Sequence, residues 1–194
     1  MHSVLITNHQ GRLLLSKYFD SSFYAQGSSG SGGGREGDGE RGGGITGSGR
    51  NGGLSMMRDR EQAMRLSESE VLGQTRHLWM SGTGDCPQVA RAKGGLIIVF
   101  GAVDGLLLFL CGSGEYDELT LSDMLGTLST VVIALCREGK ALRAEEEAFL
   151  VSSTYSKVCL SLDEMLPGGV LESLDADTIL AMTKMRAPPA GATK

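Results

Sequence analysis

Aromatic residues are scarce in this chain, and positive charge is not in excess. Only 5% of the 194 residues are Phe, Trp or Tyr, so a core has to be filled mainly by Leu, Val, Ile, Met and Ala. The formal net charge is -5. Because proteins that bind nucleic acids neutralise phosphates with clustered Lys and Arg, this balance argues against nucleic acid as a partner.

Paired cysteines, a secretory leader and a long unbroken apolar run are missing as well. The 4 cysteines lie far apart and form no C-x-x-C pair, which favours a reducing cytosol. The apolar run from Leu96 to Gly112 is interrupted by Asp104-Gly105. Each half of that run therefore has the length of a strand and not of a membrane span.

The sequence also lacks the patterns typical of catalysis and of metal binding. The carboxylates of Asp117-Glu118 and of Asp163-Glu164 are adjacent, so they point apart and suit helix capping or solvent better than acid/base chemistry. His2, His9 and His77 show no metal-ligand spacing, and no Ser-His-Asp or Cys-His spacing occurs. We expect neither enzyme activity nor a cofactor nor a metal.

One ordinary domain with a long insertion is the organisation that the composition indicates. Residues 1–25 would form its first hairpin and residues 55–186 its remainder. Residues 26–54 consist largely of Gly, Ser, Arg and Glu, and such a segment cannot offset the entropy of ordering its backbone. We expect a disordered insertion there and a loose tail over residues 187–194.

Two hairpins are predicted from short apolar runs that flank turn residues. Val4 to Ile6 and Leu13 to Phe19 form the first pair. Leu96 to Gly101 and Leu106 to Leu110 form the second, around an Asp-Gly turn, which is a strong hairpin signal. Because these runs are apolar on both faces, the sheet is expected to carry helices on both sides.

Four helices are predicted from apolar residues at three- and four-residue steps. The first covers Met56 to Leu72, with Val71 inward and Trp79 packed under a loop beyond it. The longest begins near Thr120 and Asp123, which resemble a capping box, and ends at Gly139. Its apolar stripe consists of Leu121, Met124, Leu125, Leu128, Val131, Val132, Leu135 and Cys136.

The last two predicted helices are shorter. One presents Val151, Tyr155, Val158, Leu162 and Met165 to the core and ends at Pro167-Gly-Gly169. The other covers Asp175 to Met185, with Ile179 and Met182 inward. The pattern as a whole is that of an α+β domain.

Several short motifs carry a resemblance to a known family. Gly11 to Asp20 resembles the second strand of the sigma- and zeta-type small subunits of adaptor and coat complexes. Gly114 to Leu119 is similar to the start of their long helix, and Leu162 to Glu172 is similar to the end of the next one. The segments Glu115 to Leu119 and Lys157 to Glu164, with Arg186-Ala-Pro-Pro189, resemble most the small subunit of the TPLATE, or TSET, complex.

The resemblance implies a longin-like fold, with a five-stranded, mostly antiparallel sheet and helices on both faces. It also implies a non-catalytic subunit that binds a large solenoid subunit and, through it, a second large and a medium subunit. Such a complex would be cytoplasmic, recruited peripherally to the plasma membrane or to coated vesicles in clathrin-associated endocytosis. The candidate partner-interface residues are Tyr116, Asp117, Glu118, Leu119, Asp163, Glu164, Leu171 and Glu172.

Some sigma subunits also bind acidic dileucine sorting signals through a basic side chain on the second strand. Leu14 stands at about that position here, so we expect no direct dileucine cargo binding, although Arg12 is a weak substitute. The alternatives are a coatomer zeta subunit, a clathrin-adaptor sigma subunit, or a free-standing longin module that binds a small GTPase or a SNARE.

Overall fold

The computed structural model describes residues 1–19, 68–80, 87–139 and 143–185. The predicted insertion over residues 26–54, the tail over residues 187–194, and residues 56–67 of the first predicted helix lie outside these residues. The described strands are β1 (Ser3–Asn8), β2 (Leu13–Tyr18), β3 (Gln88–Arg91), β4 (Ile97–Val103) and β5 (Leu106–Gly112). The described helices are α1 (residues 68–80), α2 (Glu118–Glu138), α3 (Glu146–Phe149), α4 (Ser152–Met165) and α5 (Ala176–Met185).

The strands form one sheet in the order β2-β1-β5-β4-β3, and every pairing in it is antiparallel. Both predicted hairpins are present. At the tip of the β4–β5 hairpin, Asp104 has φ of 53°, the left-handed conformation that Asp tolerates in a tight turn. Strand β3 was not predicted, because its four residues alternate only between half-buried and exposed positions at the edge of the sheet.

Helices cover both faces of the sheet. Val4 and Ile6 pack into a core with α2, α4 and α5, whereas Leu5 packs on the opposite face with Phe100, Phe109 and Val71 of α1. This alternation follows from the two-residue period of a strand. The α+β class and the five-stranded antiparallel sheet with helices on both faces are therefore confirmed.

Helix α2 has the predicted apolar stripe, and all eight of its residues are buried. The helix is long and apolar enough to pass a length-and-composition test for a membrane span. Its stripe nevertheless lies against the sheet, chiefly on β4 and β5, as expected for a helix that covers one face of a sheet.

Some predicted helix boundaries and orientations are wrong. Helix α1 runs to residue 80 and includes Trp79, because buried Val71 and Thr75 continue the helical spacing past the predicted end at Leu72. Val151 and Tyr155 are exposed at the start of α4, and helix α3 before it was not predicted.

In α5, Ile179 is buried as predicted, but Met182 is exposed, and Thr183 takes the inward position beside it. Helix α5 contacts α4 and α2. A helix that packs on one side only buries a narrower stripe than the apolar pattern suggests.

Candidate partner-binding surface

Tyr116 joins the two family-like motifs at one end of the sheet. Its hydroxyl donates to the carbonyl oxygen of Gly169 at 2.8 Å and accepts from the backbone N–H of Leu171 at 2.9 Å. The residue lies between β5 and α2, and its two partners follow α4. Tyr116 and Leu171 are far apart in the sequence but are joined by a hydrogen bond. This hydrogen bond fixes the chain after α4.

Gly112 and Gly169 allow this close packing around Tyr116. A Cβ on Gly112 would lie 2.8 Å from the Cβ of Tyr116, and one on Gly169 would lie 2.5 Å from the Cβ of Phe19. Gly169 also has φ of 86°, which disfavours any other residue. The Gly112 contact could not be predicted from the sequence, because it depends on how β5 meets α2.

Asp117 caps helix α2. Its carboxylate accepts from the backbone N–H of Thr120 at 2.8 Å, and hydrogen bonds from Thr120 lower the pKa of Asp117. This is the ordinary role of Asp at an N-cap, where it satisfies an orphan helix N–H. The predicted capping box of Thr120 and Asp123 is therefore wrong, because the helix begins earlier at Glu118.

The residues that follow the cap point outward. Glu118 forms an exposed ion pair with Arg91 of β3, which ties the start of α2 to the edge of the sheet. Leu119 leaves 71% of its surface exposed, so its side chain is accessible from outside the fold. Neither side chain supports the fold in the way that Tyr116 and Asp117 do.

The second motif is also divided between the fold and the surface. Asp163 of α4 pairs with Lys17 of β2 at 2.5 Å, and Glu164 beside it is partly buried. Leu171 packs against the main core, whereas Glu172 is exposed and only its backbone N–H is used, as a donor to Met165.

Val170 is an exposed residue that sequence reasoning missed. It lies between Gly169 and Leu171, the two residues that Tyr116 holds, and 67% of its surface is exposed. Leu119 and Val170 thus each lie next to residues that Asp117 or Tyr116 holds by hydrogen bonds. We call Glu118, Leu119, Val170 and Glu172 the motif surface.

The opposite end of the first hairpin is closed by a polar network. Asn8 is buried; its side-chain oxygen accepts from the N–H groups of Gln10 and Arg12 at 3.0 and 2.8 Å. Its amide donates to Glu146 of α3 at 2.8 Å, and Arg12 donates to the same carboxylate at 2.8 Å. The turn between β1 and β2 is therefore fixed to α3.

A β-bulge sets the direction of Leu14, the residue aligned with the cargo-binding cation of sigma subunits. Thr7 pairs with Leu13 and Ile6 pairs with Leu15, so Leu14 is left between them and packs against the main core. Arg12 is engaged by Glu146. The absence of direct dileucine binding stays a prediction.

The cysteines described by the structure are poor nucleophiles. Burial raises the pKa of Cys111 to about 12, and burial is also the main cause that raises the pKa of Cys136 and of Cys159. Because the thiolate is the reactive form, these thiols are not activated at neutral pH. Within the described ranges no cluster of His, Cys, Asp and Glu has a metal-binding arrangement.

Comparison with known proteins gives one relative and one structural neighbour to report. No family model matches the chain. Over 180 residues the chain is 27% identical to TSET complex member tstD of Dictyostelium discoideum, and this match covers 92% of the chain and 88% of that protein. It confirms the predicted resemblance to a protein of the TSET complex.

The structural neighbour is a chain of a homology model of the full-length AP-3 complex in a stretched open conformation. The superposition has a TM-score of 0.44 at 12% identity, and it covers 95% of this chain and 92% of that chain.

Proposed function

We propose that this chain is a non-catalytic small subunit of a heterotetrameric adaptor-like complex of the TSET, or TPLATE, type. The observation that supports this most is the similarity to TSET complex member tstD, which extends over nearly the whole length of both chains. The proposed role is to bind a large solenoid subunit and, through it, a second large and a medium subunit. The complex would work in clathrin-associated endocytosis and vesicle transport, in the cytoplasm, with peripheral recruitment to the plasma membrane or to coated vesicles.

The physical character of the described fold supports a binding role. It has an apolar core on each face of the sheet, and its buried thiols are not activated. A rigid, two-sided layer presents the same surface whether or not a partner is bound, so little ordering entropy is lost on association.

The motif surface is the proposed contact with the large subunit. Tyr116, Asp117 and Leu171 position it, and Leu119 and Val170 supply its apolar contacts. Fully burying a side chain of this size contributes about 1.5–3 kcal/mol, so two that are mostly exposed could together supply about 2–4 kcal/mol to binding. That range is typical of the few residues that dominate an interface.

Acidic residues surround these apolar contacts in the proposal. Glu118 and Glu172 would lie at the rim, where charge affects the association rate and the choice of partner more than the affinity. Asp163 and Glu164 are placed farther along, beside β2, and would extend the rim if the partner also covers α4.

Co-purification from cells tests this proposal. We would express the tagged full chain as wild type, as the double variant Leu119→Asp and Val170→Asp, and as the control variant Leu150→Asp. Leu150 is an exposed leucine next to α3, and α3 contacts the turn end of the first hairpin. The motif surface lies at the other end of that hairpin, about 20 Å away along six strand residues. Leu150 is therefore outside the proposed contact. All three proteins would first be checked for equal unfolding temperatures.

The expected result is that wild type and the Leu150 variant retain a large solenoid subunit, whereas the double variant loses most of it. Equal recovery of the large subunit by all three proteins would refute the proposed contact. The identity of the companions tests the complex itself. Coatomer or clathrin-adaptor subunits would favour a zeta or sigma subunit, and a small GTPase or SNARE alone would favour the free-standing longin module.

A further inference from the structure

Helix α2 has an exposed face opposite its buried stripe. Leu119, Asp123, Gly126 and Thr130 are all exposed, and they follow one another at steps of four, three and four residues. Residues at this spacing form one line along a helix, and the line covers about 16 Å at about 1.5 Å per residue. We call these four residues the outer face of α2. Because it begins at Leu119, it continues the motif surface along the helix.

The chain after α4 runs alongside this outer face. Tyr116 accepts from the N–H of Leu171 near the start of α2, and the hydroxyl of Thr127 donates to the carbonyl oxygen of Leu174 at 3.0 Å. These two contacts fix the segment along the first half of the helix. Val170 and Leu174 are both exposed, so the segment adds an apolar side chain at each of its ends.

Gly126 leaves a gap in the middle of the outer face. A Cβ added to it would meet no atom of the described residues within 4 Å, so their packing does not require glycine there. Glycine is unfavourable in the interior of a helix, because it loses more backbone freedom on folding than alanine does. It does let another backbone approach closely. A second helix could therefore cross α2 at Gly126 with its axis nearer than the usual distance of about 8–10 Å.

The outer face has acidic surroundings. Glu115, Asp123 and Glu172 are exposed, and among the described residues none of the three forms an ion pair. Asp117 and Asp175 add two further carboxylates, and hydrogen bonds from nearby threonines lower their pKa values. Since like charges that face each other across an interface are unfavourable, a complementary partner surface carries positive charge.

We infer that the outer face of α2 binds a helix of the large subunit that carries both apolar and basic side chains. The inference rests on the function proposed above, because a solenoid subunit is built from stacked helices. The apolar side chains of this helix would pack on Leu119 and Val170, and its backbone would cross α2 at Gly126. Its Lys or Arg side chains would reach Asp123 and Glu172.

A helix suits this surface better than an extended segment or a lipid surface does. An extended segment binds through main-chain hydrogen bonds to a free sheet edge, whereas the backbone groups in the middle of α2 are bonded within the helix. An anionic lipid surface would be repelled by the carboxylates around the outer face. Apolar side chains with carboxylates around them match an amphipathic helix with a basic polar side.

Photo-crosslinking tests the chemistry of the occupant. In the tagged full chain, p-benzoylphenylalanine would replace Thr130 of the outer face or, as the matched control, Glu147 of α3, which is also exposed. After irradiation in cells, mass spectrometry would give the sequence of each cross-linked peptide. We expect a helical, positively charged segment of the large subunit from position 130 and no such segment from position 147. A cross-link to an acidic segment or to a second copy of this chain, or none to the large subunit, would overturn the inference.

Two pairs of variants test the close approach and the charge. Gly126→Leu should lower the recovery of the large subunit about tenfold, whereas Gly73→Leu, at an exposed glycine of α1 that also has free space, should not change it. Asp123→Lys should lower the recovery about fivefold, whereas Glu147→Lys, with the same change of charge, should not. Calorimetry should show that none of the four variants unfolds at a lower temperature than wild type.

The outcomes separate this inference from the proposed function. If wild type recovers no large subunit, both are wrong. If wild type recovers it and the double variant Leu119→Asp and Val170→Asp loses it, while Gly126→Leu and Asp123→Lys retain it in full, only the inference is wrong. The large subunit would then bind the motif surface without a basic helix on α2.

Discussion

Replacing Tyr116 by Phe removes one oxygen atom and two hydrogen bonds. The hydroxyl links the carbonyl of Gly169 to the N–H of Leu171, and Gly169 is buried. Each hydrogen bond contributes about 1 kcal/mol, and the buried carbonyl left without a partner adds a further cost of about 1 kcal/mol. We therefore expect the free energy of unfolding to fall by about 2–3 kcal/mol.

Urea unfolding and thermal melting of the full chain measure this loss. For a chain of this size, a loss of about 2–3 kcal/mol corresponds to an unfolding temperature lower by roughly 5–10 °C. Tyr155→Phe is the matched control, because Tyr155 is 37% exposed, its ring contact with Phe149 does not need the hydroxyl, and the hydroxyl has only the weakly bonding thiol of Cys159 as a side-chain partner. We expect the control to change the unfolding free energy by less than about 1 kcal/mol.

The same variant separates a role in the fold from a role at the interface. If Tyr116 only positions the motif surface, Tyr116→Phe keeps the large subunit bound at temperatures where the variant is folded. Unchanged stability combined with loss of the large subunit would refute this reasoning, since it would place the hydroxyl itself in the interface.

Three further variants test contacts described above. Asn8→Ala should lower the free energy of unfolding by about 2–4 kcal/mol, because three hydrogen bonds to a buried side chain are lost; chemical denaturation measures it, and a loss below about 1 kcal/mol would contradict the network. Glu138→Gln tests the hydrogen bonds from Lys157 and Lys184 at 2.8 and 3.1 Å, which lower the pKa of Glu138 below its ordinary value of 4.5. A lowered carboxyl pKa stabilises the fold above about pH 4.5, and this stabilisation is lost as the pH falls through the folded pKa. Glu138→Gln should therefore lower the free energy of unfolding by up to about 1 kcal/mol at pH 7 and leave it unchanged in strong acid. A loss of stability that is independent of pH would contradict the assignment. Gly112→Ala should lower the free energy of unfolding by about 1–3 kcal/mol, because its methyl group would clash with the side chain of Tyr116. A melting temperature equal to that of the wild type would contradict this, since it would show that the two residues move apart freely.

The parts of the fold with a long, regular pattern were predictable from the sequence. Helix α2 has nearly five turns of consistent spacing, so its whole buried stripe was predicted. The β4–β5 hairpin was predictable because Asp104-Gly105 supplies the turn. Strand β3 and helix α3 were not, since each has four residues, too few for periodicity to exceed chance.

The predicted inward-facing residues were wrong where tertiary packing decides which side of a helix is buried. Val151, Tyr155 and Met182 fit an apolar spacing, but all three side chains are exposed. No single-sequence pattern indicates how many neighbours a helix has. The bulge that turns Leu14 toward the core likewise depends on strand register, which is set by the partner strand.

The candidate site was predicted as a set of residues but not by role. Tyr116 hydrogen-bonds to Gly169 and Leu171, Asp117 caps α2, and Leu119 is exposed, so the first two support the fold and a role of the set in binding a partner stays a proposal. A resemblance in sequence reports which residues a family shares, whether they shape the domain or bind. Only the contacts separate the two.

The proposed role is tested most directly by identifying the proteins that co-purify with the tagged full chain from cells. We expect a large solenoid subunit in a one-to-one ratio to the chain, accompanied by a second large and a medium subunit. The double variant Leu119→Asp and Val170→Asp should lose that large solenoid subunit. Recovery of the chain alone, or with companions that the aspartate variant retains in full, would contradict it.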